Sequence, residues 1–202
     1  MECKLKLFKD IDAHLISDGK PSQYLQSLNG SLFEKTHPFN MLALLKHIEQ
    51  SKRYHPEGSV WNHTLMVVDE AAIRKDKAAL GSRVFMWAAL LHDIGKGPAT
   101  KVRGGRITAY DHDKIGKKMA KEFLREFEDE IFVSKTAALV RWHMQILYAS
   151  KNMRFADFDA MKSETDVQDV ALLGLCDRLG RVGADKEKEE KTVQNFLKMA
   201  GI

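Results

Sequence analysis

The chain reads AALLHDIGKGPAT at residues 88–100, where an apolar run changes abruptly into a polar one. Residues 88–91 are suited to a protein core, but His92 and Asp93 follow them directly and Lys96 stands three residues further on. A buried imidazole and a buried carboxylate both need hydrogen-bond or charge partners. The stretch therefore predicts a buried helix that carries an unusual pair of polar groups at its C-terminal end.

Length and composition narrow the class of protein. Of the 202 residues, 44% are hydrophobic and 30% are charged, which is typical of one globular domain. The net charge of +4 suits an anionic substrate but does not by itself indicate a nucleic-acid binder. Two distant cysteines form no disulfide framework, and the sequence contains neither a membrane-spanning run nor a signal-peptide pattern. We therefore expect a cytoplasmic protein.

Apolar residues recur at spacings of three and four along most of the chain, which predicts an all-α fold. After an N-terminal helix, the predicted helices run roughly over 59–75, 82–93, 111–128, 131–149, 166–180 and 186–200. Gly95 and Pro98 are expected to end the second of these. A short segment over 25–32 is broken by Asn29-Gly30. Residues 100–110, TKVRGGRITAY, contain a Gly-Gly turn signal that predicts either a small β-hairpin or a loop.

Five of the predicted helices place a metal-ligand residue type on their apolar face: His63, His92, His112, His143 and Asp177. A single histidine on such a face is more often a hydrogen-bonded core residue than a ligand, whereas a buried aspartate needs a cation or donors. Taken together, these residues need either a buried polar network or a metal site. Nitrogen and oxygen donors suit Fe, Mn, Co, Ni or Zn better than Ca.

Four stretches of the chain resemble HD domains, a superfamily of metal-dependent phosphohydrolases named for an adjacent His-Asp pair. They are HPEGSVWNHTLMVVD (55–69), ALLHDIGKGPAT (89–100), GRITAYDHDKIG (105–116) and LCDRLGR (175–181). In this order they are most similar to the C-terminal HD domain of bacterial CCA-adding tRNA nucleotidyltransferases. Because the residues before His55 are too few for the nucleotidyltransferase head, we expect a stand-alone HD domain. The predicted architecture is an all-α HD-domain helical bundle over 55–202, with residues 1–54 as a helical lead-in packed on the same domain.

The resemblance also implies a metal centre in which Asp93 bridges two ions. One ion is expected on His63, His92, Asp93 and Asp177, and the second on Asp93, His112 and His143. The expected cofactors are two divalent transition-metal ions, Fe, Mn, Ni, Co or Zn, with Mg as an alternative.

The resulting hypothesis is a phosphatase or phosphodiesterase that acts on a nucleotide or another small phosphate ester through a metal-activated hydroxide. Asp93 and Lys96 are the expected catalytic residues. Lys96, Arg178 and Arg181 are expected to bind the substrate phosphate, although a solvated lysine is also common after a helix C-terminus.

Other interpretations of the same residues remain open. An HD-type di-iron oxygenase uses the same set of six ligands, and a non-catalytic module that binds tRNA or RNA is a different class altogether. The expected partners are therefore a small phosphorylated substrate or RNA, and no membrane. The three tryptophans, Trp61, Trp87 and Trp142, either line a base-stacking pocket or, more commonly, pack in the core.

Overall fold

A computed structural model of the chain describes residues 2–28 and 30–202. The predicted break at Asn29 lies outside these residues. The helices are α1 (Glu2–Ser17), α2 (Ser22–Ser27), α3 (Ser31–Lys35), α4 (Phe39–Ala43), α5 (Val60–Ala72), α6 (Ser82–Leu91), α7 (Lys96–Ala99), α8 (His112–Leu124), α9 (Glu130–Trp142), α10 (Gln145–Ser150), α11 (Phe158–Glu164), α12 (Val167–Leu179) and α13 (Lys186–Met199). Short 3₁₀ turns occupy Leu44–His47 and Lys75–Lys77. The all-α prediction is confirmed.

The chain between α7 and α8 forms an antiparallel hairpin of β1 (Lys101–Arg103) and β2 (Arg106–Thr108). Gly104 and Gly105 make its turn with φ angles of 53° and 73°. Positive φ at both central residues characterises the tight turns that suit twisted hairpins, and glycine adopts it without strain. Residues 100–110 therefore form a hairpin rather than a loop.

Polar side chains fix the starts of several helices. A side-chain oxygen accepts a hydrogen bond from the backbone N–H three residues later at the caps Ser59, Asp129, Asp157, Asp166 and Asp185. Each cap of this kind contributes about 1 kcal/mol to helix stability. Helices α5 and α12, on which His63 and Asp177 lie, both begin in this way.

Helix α6 is the centre of the core. Every residue from Val84 to Leu91 is buried, and α1, α5, α9 and α12 all pack against this helix. A helix that is apolar on all sides is stable only when other elements surround it. Its neighbours therefore fix the position of its C-terminal end, where His92 and Asp93 follow.

The N-terminal helix shares this core. Phe8 stacks on Trp87 with ring centroids 4.7 Å apart, and Ile11 and Leu15 are fully buried in the same apolar cluster. The lead-in thus packs on the same core as α6, while a domain boundary at residue 55 stays a prediction. Across residues 2–28 and 30–202, no helix has the length and apolar character needed to cross a membrane.

The tryptophans belong to this core as well. Trp61, Trp87 and Trp142 are 4%, 0% and 3% exposed. None of the three lines the cleft described below. Of the two uses considered for them, core packing is the one that the structure shows.

Candidate metal centre

The histidines and aspartates singled out from the sequence meet in one buried cluster. It consists of His63 in α5, His92 and Asp93 after α6, His112 at the start of α8, His143 after α9, and Asp177 in α12. Each of the six is at most 8% exposed. Five separate parts of the fold therefore contribute polar groups to one place at the end of the central helix.

Asp93 lies between two groups of imidazoles. Its Oδ2 is 3.2 Å from Nε2 of His92 and 3.9 Å from Nε2 of His63. Its Oδ1 is 3.4 Å from Nε2 of His112 and 3.7 Å from Nε2 of His143. One carboxylate oxygen thus faces each group. We call His63, His92 and Asp177 the first half of the cluster and His112 and His143 the second half.

All four imidazoles are oriented by the same kind of contact. Nδ1 lies 2.7–3.1 Å from a backbone carbonyl oxygen, namely that of Gly180 for His63, Ala89 for His92, Ala109 for His112 and Val140 for His143. An N–H at Nδ1 that donates to a carbonyl leaves Nε2 to face the centre. Histidines that bind metals are usually held in this way, because the bond fixes both the tautomer and the ring orientation.

These contacts also explain where two of the helices end. In a continuous helix, Val140 O would accept from Met144 N–H, but here Nδ1 of His143 bonds to it. The helix predicted over 131–149 is accordingly interrupted between α9 and α10. Likewise α6 ends at Leu91, before Gly95, and Pro98 lies inside α7 rather than ending α6.

The second half of the cluster suits a cation. Burial lowers the pKa of His112 and, to about 4, that of His143, so both rings are neutral at pH 7. Their Nε2 atoms are nevertheless only 3.3 Å apart. With Nδ1 protonated in both rings, this contact brings two lone pairs together, and a positive ion between them relieves the repulsion.

The first half is richer in carboxylates. Nε2 of His63 is 3.0 Å from Oδ1 of Asp177, and its Nδ1 is 2.9 Å from Oε1 of Glu57. Burial acts to lower the pKa of His63, but contacts with these two carboxylates outweigh it and raise the pKa. Burial likewise acts to raise the pKa of Glu57, but hydrogen bonds with His63 and His55 outweigh it and lower the pKa to about 2. Each ring nitrogen of His63 therefore has a carboxylate partner, Glu57 at Nδ1 and Asp177 at Nε2.

The residues present fit a metal ion in both halves. Nε2 of His92 is buried without a hydrogen-bond partner. One ligand atom from each of His63, His92 and Asp93 lies within 4.8 Å of the others, and the same holds for Asp93, His112 and His143. Imidazole nitrogens with carboxylate oxygens are the donors that first-row divalent transition metals prefer. The cluster therefore can bind metal ions.

Two cations border the cluster. Nζ of Lys96 is 2.7 Å from Oδ2 of Asp93 and 2.6 Å from Oε1 of Gln50. Nη2 of Arg181 donates to both oxygens of Asp177 at 2.9 Å. Burial acts to raise the pKa of Asp93 and of Asp177, but the charges of Lys96 and Arg181 outweigh it and hold both pKa values well below their usual range. The Lys96 side chain is only 13% exposed, so it is not a solvated lysine.

Close backbone contacts at two glycines bring the surrounding helices to the end of α6. A Cβ at Gly95 would lie 2.0 Å from the carbonyl oxygen of His112. A Cβ at Gly180 would lie 2.9 Å from the backbone nitrogen of Val67 in α5. Real side chains do not tolerate such distances. Glycine therefore lets α8 approach Asp93 and lets the end of α12 approach His63.

A cleft of about 450 Å³ opens onto the cluster. Its floor is formed by Asp93, Lys96, His112, His143, Asp177 and Arg181. Apolar wall residues include Ile107 of β2 as well as Met144 and Leu147. The polar groups predicted for chemistry are thus accessible from one side, while His63 and His92 lie behind them.

Arg178 is a predicted phosphate-binding residue that the structure does not bring to the cleft. Nη1 of Arg178 donates to Glu189 of α13 at 2.6 Å, so the side chain joins α12 to α13. Neighbouring helix positions point in different directions, whereas positions four apart share a face. Arg178 therefore turns away from Asp177, and Arg181 turns toward it.

Sequence reasoning did not find Gln50. This residue is 6% exposed and contacts Lys96 from a loop far away in sequence. A glutamine between two loop segments carries no spacing signal. The position of Glu57 against His63 is also a finding of the structure, although the residue lies in a stretch on which the resemblance rests.

Comparison with known families agrees with this geometry. The family model described as HD domain matches residues 60–191, which include all six residues of the cluster. The chain belongs to the HD domain family.

Curated relatives extend the resemblance. The chain is 26% identical over 186 residues to the multifunctional CCA protein of Pseudomonas fluorescens (strain SBW25), covering 89% of this chain and 43% of the relative. It is 27% identical over 164 residues to that of Azoarcus sp. (strain BH72), covering 77% and 38%. It is 34% identical over 93 residues to that of Actinobacillus pleuropneumoniae serotype 5b (strain L20), covering 46% and 22%. The chain spans less than half the length of these relatives, and the predicted similarity to the HD region of CCA proteins is confirmed.

Proposed function

We propose that this protein is a metal-dependent phosphohydrolase, a phosphatase or phosphodiesterase that acts on a nucleotide or another small phosphate ester. The observation that supports this best is the combination on one cleft floor of a His/Asp cluster suited to divalent ions and two cations suited to a phosphate. Membership of the HD domain family points in the same direction.

In this proposal the first half of the cluster and Asp93 hold one divalent ion, and Asp93 and the second half hold another. Fe, Mn, Ni, Co and Zn suit an imidazole-rich set better than Mg does. Ions of this class lower the pKa of a coordinated water and neutralise charge on a phosphoryl group. The role of Asp93 follows from its position, because each of its two oxygens faces one half of the cluster.

Lys96 and Arg181 bind the substrate phosphate in this proposal. Lys96 offers a point charge, which Gln50 holds at the cleft floor. Arg181 lines the cleft and offers the planar guanidinium group, which suits a phosphate with two hydrogen-bond donors. Both cations contact carboxylates of the cluster, which supports their proposed role beside the metal ions.

The size of the cleft supports a small substrate. About 450 Å³ falls within the usual range for small-molecule sites, roughly 300–1,000 Å³. The apolar side chains of Ile107, Met144 and Leu147 on the wall can contact a nucleobase while the phosphate lies on the polar floor.

The test combines elemental analysis with a hydrolysis screen. Purified protein is analysed for bound metals and then loaded in turn with Mn, Fe, Co, Ni and Zn. Each sample is assayed with nucleoside mono-, di- and triphosphates and with nucleoside 2′,3′-cyclic phosphates. Release of phosphate or opening of the cyclic ester supports the proposal. A fully loaded protein that hydrolyses none of these substrates contradicts it.

The same samples address the alternative of a di-iron oxygenase. Protein loaded with iron under anaerobic conditions is followed by absorption spectroscopy while oxygen is added. Spectral change with oxygen and no hydrolysis with any metal would favour the oxygenase over the phosphohydrolase.

A further inference from the structure

Three exposed segments border the mouth of the cleft. They are residues 52–54, 101–110 and 151–155, and we call them together the basic rim. Each contributes at least one residue to the cleft lining, namely Tyr54, Ile107 and Lys151. The basic rim therefore forms the surface that a ligand longer than the cleft must cross.

The charge of the basic rim differs from that of the rest of the molecule. It carries seven basic residues and no acidic one: Lys52, Arg53, Lys101, Arg103, Arg106, Lys151 and Arg154. Because the whole chain has a net charge of only +4, the remainder has a net charge of −3. The positive charge of this mildly basic chain is thus concentrated around the mouth of the cleft.

These seven side chains are exposed. None of them forms a salt bridge with an acidic group in the part of the chain that the structure describes. Elsewhere the basic residues are often paired, as Arg83 is with Asp12 and Glu128. Asp111, which adjoins the rim, pairs with Lys114 outside it. The positive charges of the rim therefore remain available to a polyanion.

Each segment of the basic rim also exposes an aromatic ring. Tyr54, Tyr110 and Phe155 are 61%, 79% and 49% exposed. The guanidinium of Arg53 lies 5.4 Å from the centroid of the Tyr54 ring, and that of Arg154 lies 5.2 Å from the Phe155 ring. Exposed aromatic rings among cations are the features with which proteins hold single strands, because bases stack on the rings while the cations contact phosphates.

The depth of the cluster favours a single strand over a duplex. Asp93 is only 2% exposed and lies at the floor of the cleft. A base-paired helix presents no free base faces to stack on aromatic side chains, whereas an unpaired strand does. A strand lying on the rim can also pass one of its phosphates down to Lys96 and Arg181.

We propose that the basic rim binds single-stranded nucleic acid, so that the nucleotide whose phosphate reaches the cluster can belong to a strand whose remainder lies on the rim. The binding surface is independent of the metal centre. Only the statement about which phosphate reacts rests on the proposed function.

The test measures binding to chelator-treated protein by fluorescence anisotropy. The probe is a fluorescein-labelled, unstructured 12-nucleotide RNA, and the competitors are the same strand as a duplex, the corresponding DNA strand, and AMP. We expect the labelled strand to bind at 50 mM salt, the duplex and AMP to compete poorly, and affinity to fall steeply with salt. Absence of strand binding, or equal competition by the duplex, would overturn the proposal.

Matched charge variants locate the surface. Arg103→Gln/Arg106→Gln is expected to weaken strand binding at least about tenfold and to reduce the slope of log K against log salt by about 1.4, since each lost phosphate contact on a single strand accounts for about 0.7. Lys118→Gln/Arg125→Gln removes the same charge from exposed positions that do not line the cleft. This control is expected to bind within about twofold of wild type. An equal loss in both double variants would show that net charge, not the rim, governs binding.

Aromatic variants test stacking separately from charge. Tyr110→Ala is expected to weaken binding about fivefold or more without changing the salt slope, and Tyr110→Phe to keep most of the affinity. If Tyr110→Ala binds the strand as tightly as wild type does, then base stacking on Tyr110 does not contribute to binding.

The two proposals fail in different ways. Chelated protein does not turn over, so strand binding is scored apart from hydrolysis. Strand binding by a protein that hydrolyses nothing would keep the basic rim and reject the proposed function. Hydrolysis of mononucleotides by a protein that binds no strand would keep the proposed function and reject the basic rim as a binding surface.

Discussion

The two halves of the buried cluster are oriented by the same carbonyl contacts but differ in charge. In the first half, His63 contacts Asp177 and Glu57, and these carboxylates raise its pKa. In the second half, His112 and His143 face one another, and burial lowers the pKa of both. The first half therefore has carboxylate partners in addition to Asp93, whereas Asp93 supplies the carboxylate that faces the second half. If the cluster binds two ions as proposed, we expect this difference to give two sites of unequal affinity that share Asp93 as a ligand.

Replacing Asp93, the ligand that both halves are proposed to share, is expected to have the largest effect. Asp93→Asn is expected to lose both ions and to reduce hydrolysis by more than about 100-fold, beyond the effect of changing groups that only support a ligand. Metal content by elemental analysis and initial rates measure the change. Asp76→Asn, at an exposed position outside the cleft lining, is the control and should retain both ions. Retention of one ion in Asp93→Asn would show that Asp93 does not bridge.

Removing one ligand from the second half separates the two sites. His143→Gln is expected to keep about one ion per chain, since the first half remains complete, while hydrolysis falls roughly 10- to 100-fold. Graded chelation of the wild type should likewise release one ion well before the other. The exposed His47 provides the control His47→Gln. If His143→Gln loses both ions, the halves are not separable in the way proposed.

Each half also depends on a glycine. Gly180→Ala places a Cβ against the backbone of Val67, and Gly95→Ala places one still closer to His112. We expect a loss of at least about 1–3 kcal/mol in the free energy of unfolding for each, with the larger loss at Gly95. Denaturant unfolding of the metal-free proteins measures it. Gly19→Ala, where a Cβ meets nothing within 4 Å, should change stability by no more than about 0.5 kcal/mol.

The smallest effects are expected at two neighbouring arginines. Arg181→Gln is expected to lower kcat/KM about tenfold, because it removes a charged donor from the cleft floor. Arg178→Gln should leave kcat/KM within about twofold, because Arg178 contacts Glu189 instead. Steady-state kinetics with the best nucleotide substrate compares them. Equal effects of the two substitutions would contradict the orientation of α12 described here.

The regular helices could be predicted from the sequence because their apolar spacing is regular. The predicted 166–180 and 186–200 differ by one residue or less at each end from α12 and α13. The interruptions between helices could not be predicted in this way. The chain breaks after α9 because the side chain of His143 takes a backbone carbonyl, and apolar spacing carries no information about such a bond.

For the cluster, periodicity indicated which faces are buried but not which helices meet. Apolar spacing predicts buried faces for His63, His92, His112, His143 and Asp177. Only the resemblance to HD domains implies that these five and Asp93 form one two-ion centre. Gln50 and the contact between Glu57 and His63 depend on how loops pack against the helices, which local sequence does not encode. Arg178 lies outside the cleft because adjacent helix positions diverge, so the position of Asp177 does not indicate where the side chain of Arg178 points.

The burial of every residue from Val84 to Leu91 has a consequence for how the centre is assembled. The amide groups next to His92 and Asp93 belong to the best protected element of the core, so their hydrogen exchange should require global unfolding. The His-Asp pair is then already in place in the apoprotein. If the cluster binds metal ions as proposed, we expect their uptake to need no folding step in this region.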